Sequence, residues 1–349
     1  MTTRTSRRRT PVSAAIAVTL AVGSTLTLAG TASAHPTAFS ATTLPLAAGQ
    51  YQSAYSERND ALWVTTAVGR AATSTTLLKV DPETLTVEQT ILPPVLDATT
   101  GAREAVYGVA VDDEHNTVWV TNTRSNTVAV YSQRTGAHLA TLPDVGHARE
   151  IVVDEKHDTV WASAFSAGTL VAYDSRTLTE KKRVTVEGSG PAGLAVDEKT
   201  GTVYATDLSN DRIIEVNRAS DTPRLIPTGD GPISISLSKN GRTAYTADQT
   251  AGGVSVVDLR TGTVTRSVAT GAGTLSVATD DRSGDVVVVN RTAATATVVD
   301  PRKGVVEKTV ATGANPNHVE VADGVAYVVD KSGAGANGED QVTVIRLGH

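Results

Sequence analysis

The sequence predicts an all-β protein, a ring of seven four-stranded blades closed into a β-propeller, on three observations. Short segments alternating apolar and small polar residues come in pairs joined by polar turns, as in Thr117 to Tyr131 (TVWVTNTRSNTVAVY), which reads as a β-hairpin. The hairpin returns from Leu62, Thr159, Thr202, Thr243, Asp285 and Val325, with second-strand markers at Trp63, Trp119, Trp161, Tyr204, Tyr245, Val287 and Tyr327. After the first pair, these markers lie about forty residues apart with no helical pattern between them, the period of one propeller blade.

Taken in order, residues 1–34 read as an export signal. Arg4, Arg7, Arg8 and Arg9 form a positive start, Val12 to Leu28 is mostly apolar, and Ala32-Ser33-Ala34 is a small-residue cleavage site. Cleavage after Ala34 is expected, giving a secreted chain that begins at His35. No cysteine is present, so disulfides and a lipoprotein anchor are excluded, and no later apolar run is long enough to span a bilayer. The net charge of −6 becomes more acidic once those four arginines are removed. Such a surface repels phosphate backbones, so nucleic acid is not an expected partner. With two Phe and three Trp, the core must be built from Val, Leu, Ile and Ala.

Residues 35–349 are then one propeller, expected to be monomeric. In the copy around Gly193 four strands are expected at Gly193 to Val196, Thr202 to Thr206, Arg212 to Val216 and Arg224 to Pro227. Asp-rich turns punctuate them, among them Asp81-Pro82-Glu83-Thr84, Asp174-Ser175-Arg176-Thr177, Asp258-Leu259-Arg260-Thr261 and Asp300-Pro301-Arg302-Lys303. Asp in such places caps the turn with its own side chain. The last copy stops after its third strand near Leu347, so residues near 39–46 are expected to supply the missing fourth strand and close the ring. The longer first interval holds extra sequence at Pro93 to Val106, expected as a loop on one rim.

Trp119-Val120-Thr121-Asn122, Tyr204-Ala205-Thr206-Asp207 and Tyr245-Thr246-Ala247-Asp248 resemble the YVTN repeat. Gly188-Ser189-Gly190-Pro191-Ala192-Gly193 and Gly229-Asp230-Gly231-Pro232-Ile233-Ser234 resemble the Gly-x-x-Pro lead-in of the same family, the YncE-like seven-bladed propellers of bacterial envelopes. The resemblance implies an exported, mostly non-catalytic binding propeller. The wider superfamily includes lactonases, virginiamycin B lyase and quinoprotein dehydrogenases, and one family member is associated with DNA binding.

Ligands of propellers usually bind where the inter-blade loops and the second-to-third-strand loops surround the central channel. Aligning the inter-blade position gives Ser53, Gly108, Arg149, Gly193, Ser234, Ser276 and His318, with Tyr51, Tyr107, His147, Glu150 and Asn317 beside it. Most of that ring is small. Arg149, His318, Tyr107, His147, Tyr51 and Glu150 are therefore the candidate ligand-binding residues, for Arg pairs with carboxylate or phosphate and aromatic edges line pockets. A small molecule, peptide or cell-envelope component is the expected ligand, with no cofactor. A second ring falls three residues after each marker, and four consecutive blades carry Asp207, Asp248, Asn290 and Asp330 there. Those oxygens could surround Ca²⁺ or Mg²⁺ in a metal-dependent lactonase or lyase. At the end of a strand, however, Asp and Asn commonly cap the following turn with their own side chain. The Gly-rich loop Asp330 to Asp340 reads as a flexible lid, and motifs for a nucleophilic serine, a His-Glu-x-x-His metal site or a reactive cysteine are lacking.

Overall fold

The computed structural model describes residues 38–68, 74–220 and 222–348; the expected export signal and cleavage site lie outside them. Seven four-stranded antiparallel sheets form the blades. Their innermost strands are Gln50–Ser56, Val109–Asp112, Ala148–Asp154, Pro191–Asp197, Pro232–Leu237, Thr274–Thr279 and His318–Ala322, which we number as blades one to seven. Two single turns of 3-10 helix, Glu155–His157 and Phe165–Ala167, interrupt the strands of blade three. Among the described residues no helix is long and apolar enough to cross a membrane.

The apolar residues of each strand pack across blade boundaries, and each boundary has its own cluster. Trp63 and Leu77 of blade one meet Val109, Val120 and Tyr131 of blade two, and Trp119 and Val130 of blade two meet Ile151, Val160 and Tyr173 of blade three. Val-rich faces do the same work farther round, as where Val287 and Val289 meet Val319 and Val328. Two sheets stacked this way bury a layer of β-branched side chains that hold few rotamers. The polar edge of the large Trp63 ring is satisfied, its Nε1 donating to Gln133 Oε1 at 3.0 Å.

The turns follow the Asp chemistry of the sequence. Asp81 Oδ1 accepts from the backbone N–H groups of Glu83 and Thr84 at 3.0 and 2.7 Å, and Asp174 Oδ1 from those of Arg176 and Thr177 at 3.1 and 2.8 Å. Asp258 and Asp300 do likewise. These bonds favour the carboxylate, so all four acids are held below the usual carboxylate range, Asp300 to about 2 mainly through Lys303.

Blade seven joins the two ends of the described chain. Its outermost strand is Ser40–Pro45, antiparallel to Gln341–Arg346 with Leu44 opposite Val342. The excursion after blade one is more ordered than the rim loop expected from sequence. Val95–Asp97 and Ala102–Arg103 pair as a small hairpin, tied down by Arg103 Nη1 donating to Pro93 O at 2.7 Å.

Candidate functional site

Strand pairing fixes which residues meet around the channel. The inner-strand partners of the seven markers are Ala54, Ala110, Val152, Ala195, Ser236, Ala278 and Glu320. Two residues earlier in each blade stand Gln52, Gly108, Glu150, Gly193, Ser234, Ser276 and His318. The alignment made from sequence is thereby corrected in two blades. Gln52 and Glu150 occupy the ring, while Ser53 takes the next position, which in the other blades is Val109, Ile151, Leu194, Ile235, Val277 and Val319. Side chains alternate faces along a strand, so one residue decides whether a group lines the ring or packs toward the preceding blade.

Ring side chains also stitch one blade to the next. Ser234 Oγ accepts from Val277 N at 3.3 Å, Ser276 Oγ from Val319 N at 3.2 Å, His318 Nδ1 from Ser53 N at 3.3 Å and Gln52 Oε1 from Val109 N at 3.3 Å. Gln52 then reaches past blade two, donating from Nε2 to Glu150 Oε2 at 2.9 Å. Only a residue without a side chain admits that crossing. A Cβ on Gly108 would meet Arg149 O at 2.7 Å and Gln52 Oε1 at 3.3 Å.

Above the ring, at the mouth formed by the strand-two to strand-three turns, lies a hollow of about 400 Å³. Of the candidate residues, Tyr51, Arg149, Glu150 and His318 line it, joined by Gln52, Leu208, Ile233, Gln249, Leu275, Arg291 and Asn317. Tyr107 stands behind Tyr51, edge to face at 4.9 Å between ring centres, with the Arg124 guanidinium over it at 5.7 Å. His147 is on the exposed outer side, its ring 5.7 Å from that of Phe165, and does not line the hollow. Arg149 spreads its guanidinium over the same Phe165 at 5.6 Å, and Lys331 places Nζ 4.9 Å from the centre of Tyr51. Arg291 Nη1 donates to Asn317 Oδ1 at 2.5 Å, and Asn317 Nδ2 to Tyr51 O at 2.6 Å.

Among the described residues, Arg149, Arg291 and Lys331 are in no ion pair. Burial presses the Lys331 ammonium below its usual range, opposed by the charge of Asp340 and reinforced by Arg291. The sequence reading missed Arg291 and Lys331, although a signal existed. Both stand four residues after a marker, in a ring with Phe165, Leu208 and Gln249.

The floor is acidic. Glu150 and Glu320 line the channel, partly exposed yet deep among protein atoms, and burial pushes each carboxyl up to about 7, the charge of Glu150 adding to the rise at Glu320. Glu320 Oε1 accepts from Tyr55 N at 3.2 Å. Burial pushes the His318 imidazole down to about 4, in keeping with an unprotonated Nδ1 that accepts from Ser53 N. His318, Glu150 and Glu320 all line the channel.

The second ring turns mostly into its own loops. Asp207 accepts from Gly190 N at 2.8 Å and pairs with Arg212 Nε at 2.8 Å, and Asn290 bonds Thr270, Thr274, Thr295 and Thr297. Asp248 Oδ2 accepts from Ser255 Oγ at 2.6 Å, and burial pushes its carboxyl up to about 6. Asp330 Oδ1 accepts from Ser332 N and Gln341 N at 3.0 and 2.8 Å. Among the described residues, Asp248 Oδ1 and Asp330 Oδ2 have no hydrogen-bond partner. The four residues sit in four different blades, and among the described residues the one acid and histidine group with three converging ligand atoms is Glu114, His115 and Asp158, at the far end of the blades.

No family model matches the chain. It is 27% identical to the protein YncE of Salmonella typhi over 238 residues, which span 62% of this chain and 64% of that protein. Against YncE of Escherichia coli O157:H7 it is 28% identical over 236 residues, with the same shares covered. The match thus spans a little under two thirds of these relatives' length. Among solved structures, virginiamycin B lyase from Staphylococcus aureus superposes with a TM-score of 0.71 at 12% identity, covering 89% of this chain and 100% of the lyase. Kuenenia stuttgartiensis hydrazine synthase gives 0.68 at 14% identity, with 86% and 96% covered. At such identities the likeness is one of fold alone. Seven blades of one repeat make this chain a seven-bladed β-propeller, and in sequence it is similar to YncE.

Proposed function

We propose that this chain is an exported binding propeller, cleaved after Ala34, that holds the negatively charged group of a small molecule, peptide or envelope component at the mouth of its channel. One observation carries the reading: Arg149 and Arg291 line a hollow of about 400 Å³ and Lys331 stands over its Tyr51, none of the three in an ion pair among the described residues, in a protein of net charge −6. Leaving cations half-buried and unpaired costs stability, and an incoming carboxylate or phosphate relieves that cost through charge-assisted hydrogen bonds. Tyr51 and the apolar Leu208, Ile233 and Leu275 supply the rest of the contact.

Titration calorimetry with carboxylate- and phosphate-bearing organic molecules tests the reading. Arg149→Ala and Arg291→Ala should each weaken binding about tenfold, near 1.4 kcal/mol, in line with the loss of a hydrogen bond to a charged group. Affinity unchanged in the double variant would place the ligand elsewhere. N-terminal sequencing of the exported protein checks the cleavage point, for which His35 is the expected first residue.

A further inference from the structure

The hollow holds charge of both signs, and they do not cancel inside it. Glu150 is the one carboxylate among the described residues that line it, and it forms no ion pair with Arg149 or Arg291. The carboxylate is held in place from two sides. Gln52 Nε2 donates to Oε2 at 2.9 Å, Ile151 N donates to Oε1 at 3.3 Å, and Gln52 is itself fixed through Val109 N. Each oxygen keeps a free lone pair, so the group remains able to accept from a third donor. An apolar wall, Leu208, Ile233 and Leu275, stands on blades four, five and six beside Arg291.

We propose that the hollow takes a small zwitterion with an apolar side chain, an amino acid or short peptide, whose acid group goes to Arg149 and Arg291 and whose ammonium goes to Glu150. The inference rests on the mouth being an anion site and adds an ammonium subsite to it. The charged and titratable neighbours of Glu150 are Arg149 beside it, His318 on the same ring, Glu320 one step down the channel and Arg291 across the hollow; blades two and four present Gly108 and Gly193 at this level. With its carboxyl up near 7 in the free protein, Glu150 is part protonated at neutral pH, and an arriving ammonium drives that proton off.

Titration calorimetry of the protein with leucyl-leucine, its N-acetyl form and its C-terminal amide separates the two claims. Leucyl-leucine is expected to bind at least tenfold tighter than either capped form. At pH 7 its heat should differ between buffers of unlike ionisation enthalpy in the sense of proton release. Glu150→Gln should remove that release and bring leucyl-leucine down to the affinity of the N-acetyl form. An N-acetyl form that binds as tightly as the free peptide overturns the ammonium subsite and leaves the anion site standing. An amide that binds as tightly as the free peptide overturns the anion site itself. No binding by any of the three at millimolar concentration overturns the zwitterion, with the anion site still to be judged by its own Arg149 and Arg291 variants. Should Glu150→Gln fail to fold, the capped series and the buffer comparison decide on the unaltered protein.

Discussion

Ser53 shows how one residue answers its neighbours across a blade boundary. The other six blades place Val, Ile or Leu at its position, and the backbone N–H there bonds a ring residue of the preceding blade, as where Val277 N donates to Ser234 Oγ and Val319 N to Ser276 Oγ. Blade seven presents His318 and Glu320 instead, and opposite them blade one has the small Ser53, whose Oγ is buried with no partner. Two effects therefore compete at this site. An unpartnered buried hydroxyl costs about 1–3 kcal/mol, and extra methyl groups in a filled slot cost about as much. Ser53→Ala removes the first penalty without incurring the second and should stabilise by roughly 0.5–1 kcal/mol. Ser53→Val, although it restores the residue type of the other blades, should destabilise by about 1–3 kcal/mol through pressure on His318. Urea denaturation of both variants checks this, and a stabilised Ser53→Val would show that the slot has room.

At the scale of the element, blade seven is the one assembled from distant parts of the chain. Strand Ser40–Pro45 is largely exposed and has little apolar burial of its own, so it is held by its ladder with Gln341–Arg346 and by Leu46 N donating to Asp340 O at 3.0 Å. Asp340 also receives Gly49 N and Gln50 N on Oδ2, which clamps the entry to blade one against the last loop. The Gly-rich segment Asp330 to Asp340 thus serves as an anchor for the ring closure, through Asp340 and through Asp330 Oδ1 bonding Gln341 N. A chain beginning at residue 47 would leave the sheet edge of Gln341–Arg346 unpaired, and such edges invite pairing with other chains. That truncation should lower the thermal midpoint and yield dimers or aggregates by light scattering. A monomer with an unchanged midpoint would mean that the three remaining strands of blade seven suffice.

For the molecule as a whole, buried acids set the dependence of stability on pH. Glu150 and Glu320, at about 7, and Asp248, at about 6, take up protons in the folded state well above the pH at which the unfolded chain does so. The folded state then binds more protons, and stability rises as the pH falls from about 7 toward 4.5. His318 acts in the opposite sense, because the unfolded imidazole is protonated from 6.5 while the folded one waits until about 4. Three groups outweigh one across most of that window. Below it the turn-capping acids with lowered values, Asp300 foremost, lose their contribution. The urea midpoint should accordingly be higher at pH 5.5 than at pH 8, and the double variant Glu150→Gln, Glu320→Gln should flatten or reverse that slope. A wild-type midpoint that falls steadily from pH 8 to pH 5.5 would contradict the assignment of both channel acids.

What the sequence by itself determined was whatever repeats locally. The seven markers, the alternating strands and the Asp turns are short-range patterns, so blade number, blade order and turn chemistry could be read from Trp63, Trp119, Trp161 and their successors, and from Asp81, Asp174, Asp258 and Asp300. Four of the mouth residues were legible for a related reason, since Arg149 and His318 departed from an otherwise small aligned ring and Tyr51 and Glu150 stood beside it. Only the tertiary structure decided which of these groups share the hollow. His147 turned to the outer side, and Arg291 and Lys331 came in from a turn whose aspect the repeat did not disclose. Ring closure makes neighbours of residues far apart in the chain, Gln52 with Glu150 and Ser53 with His318. A one-residue error in counting along a strand exchanges its two faces, and that alone separated Ser53 from Gln52 and Arg149 from Glu150.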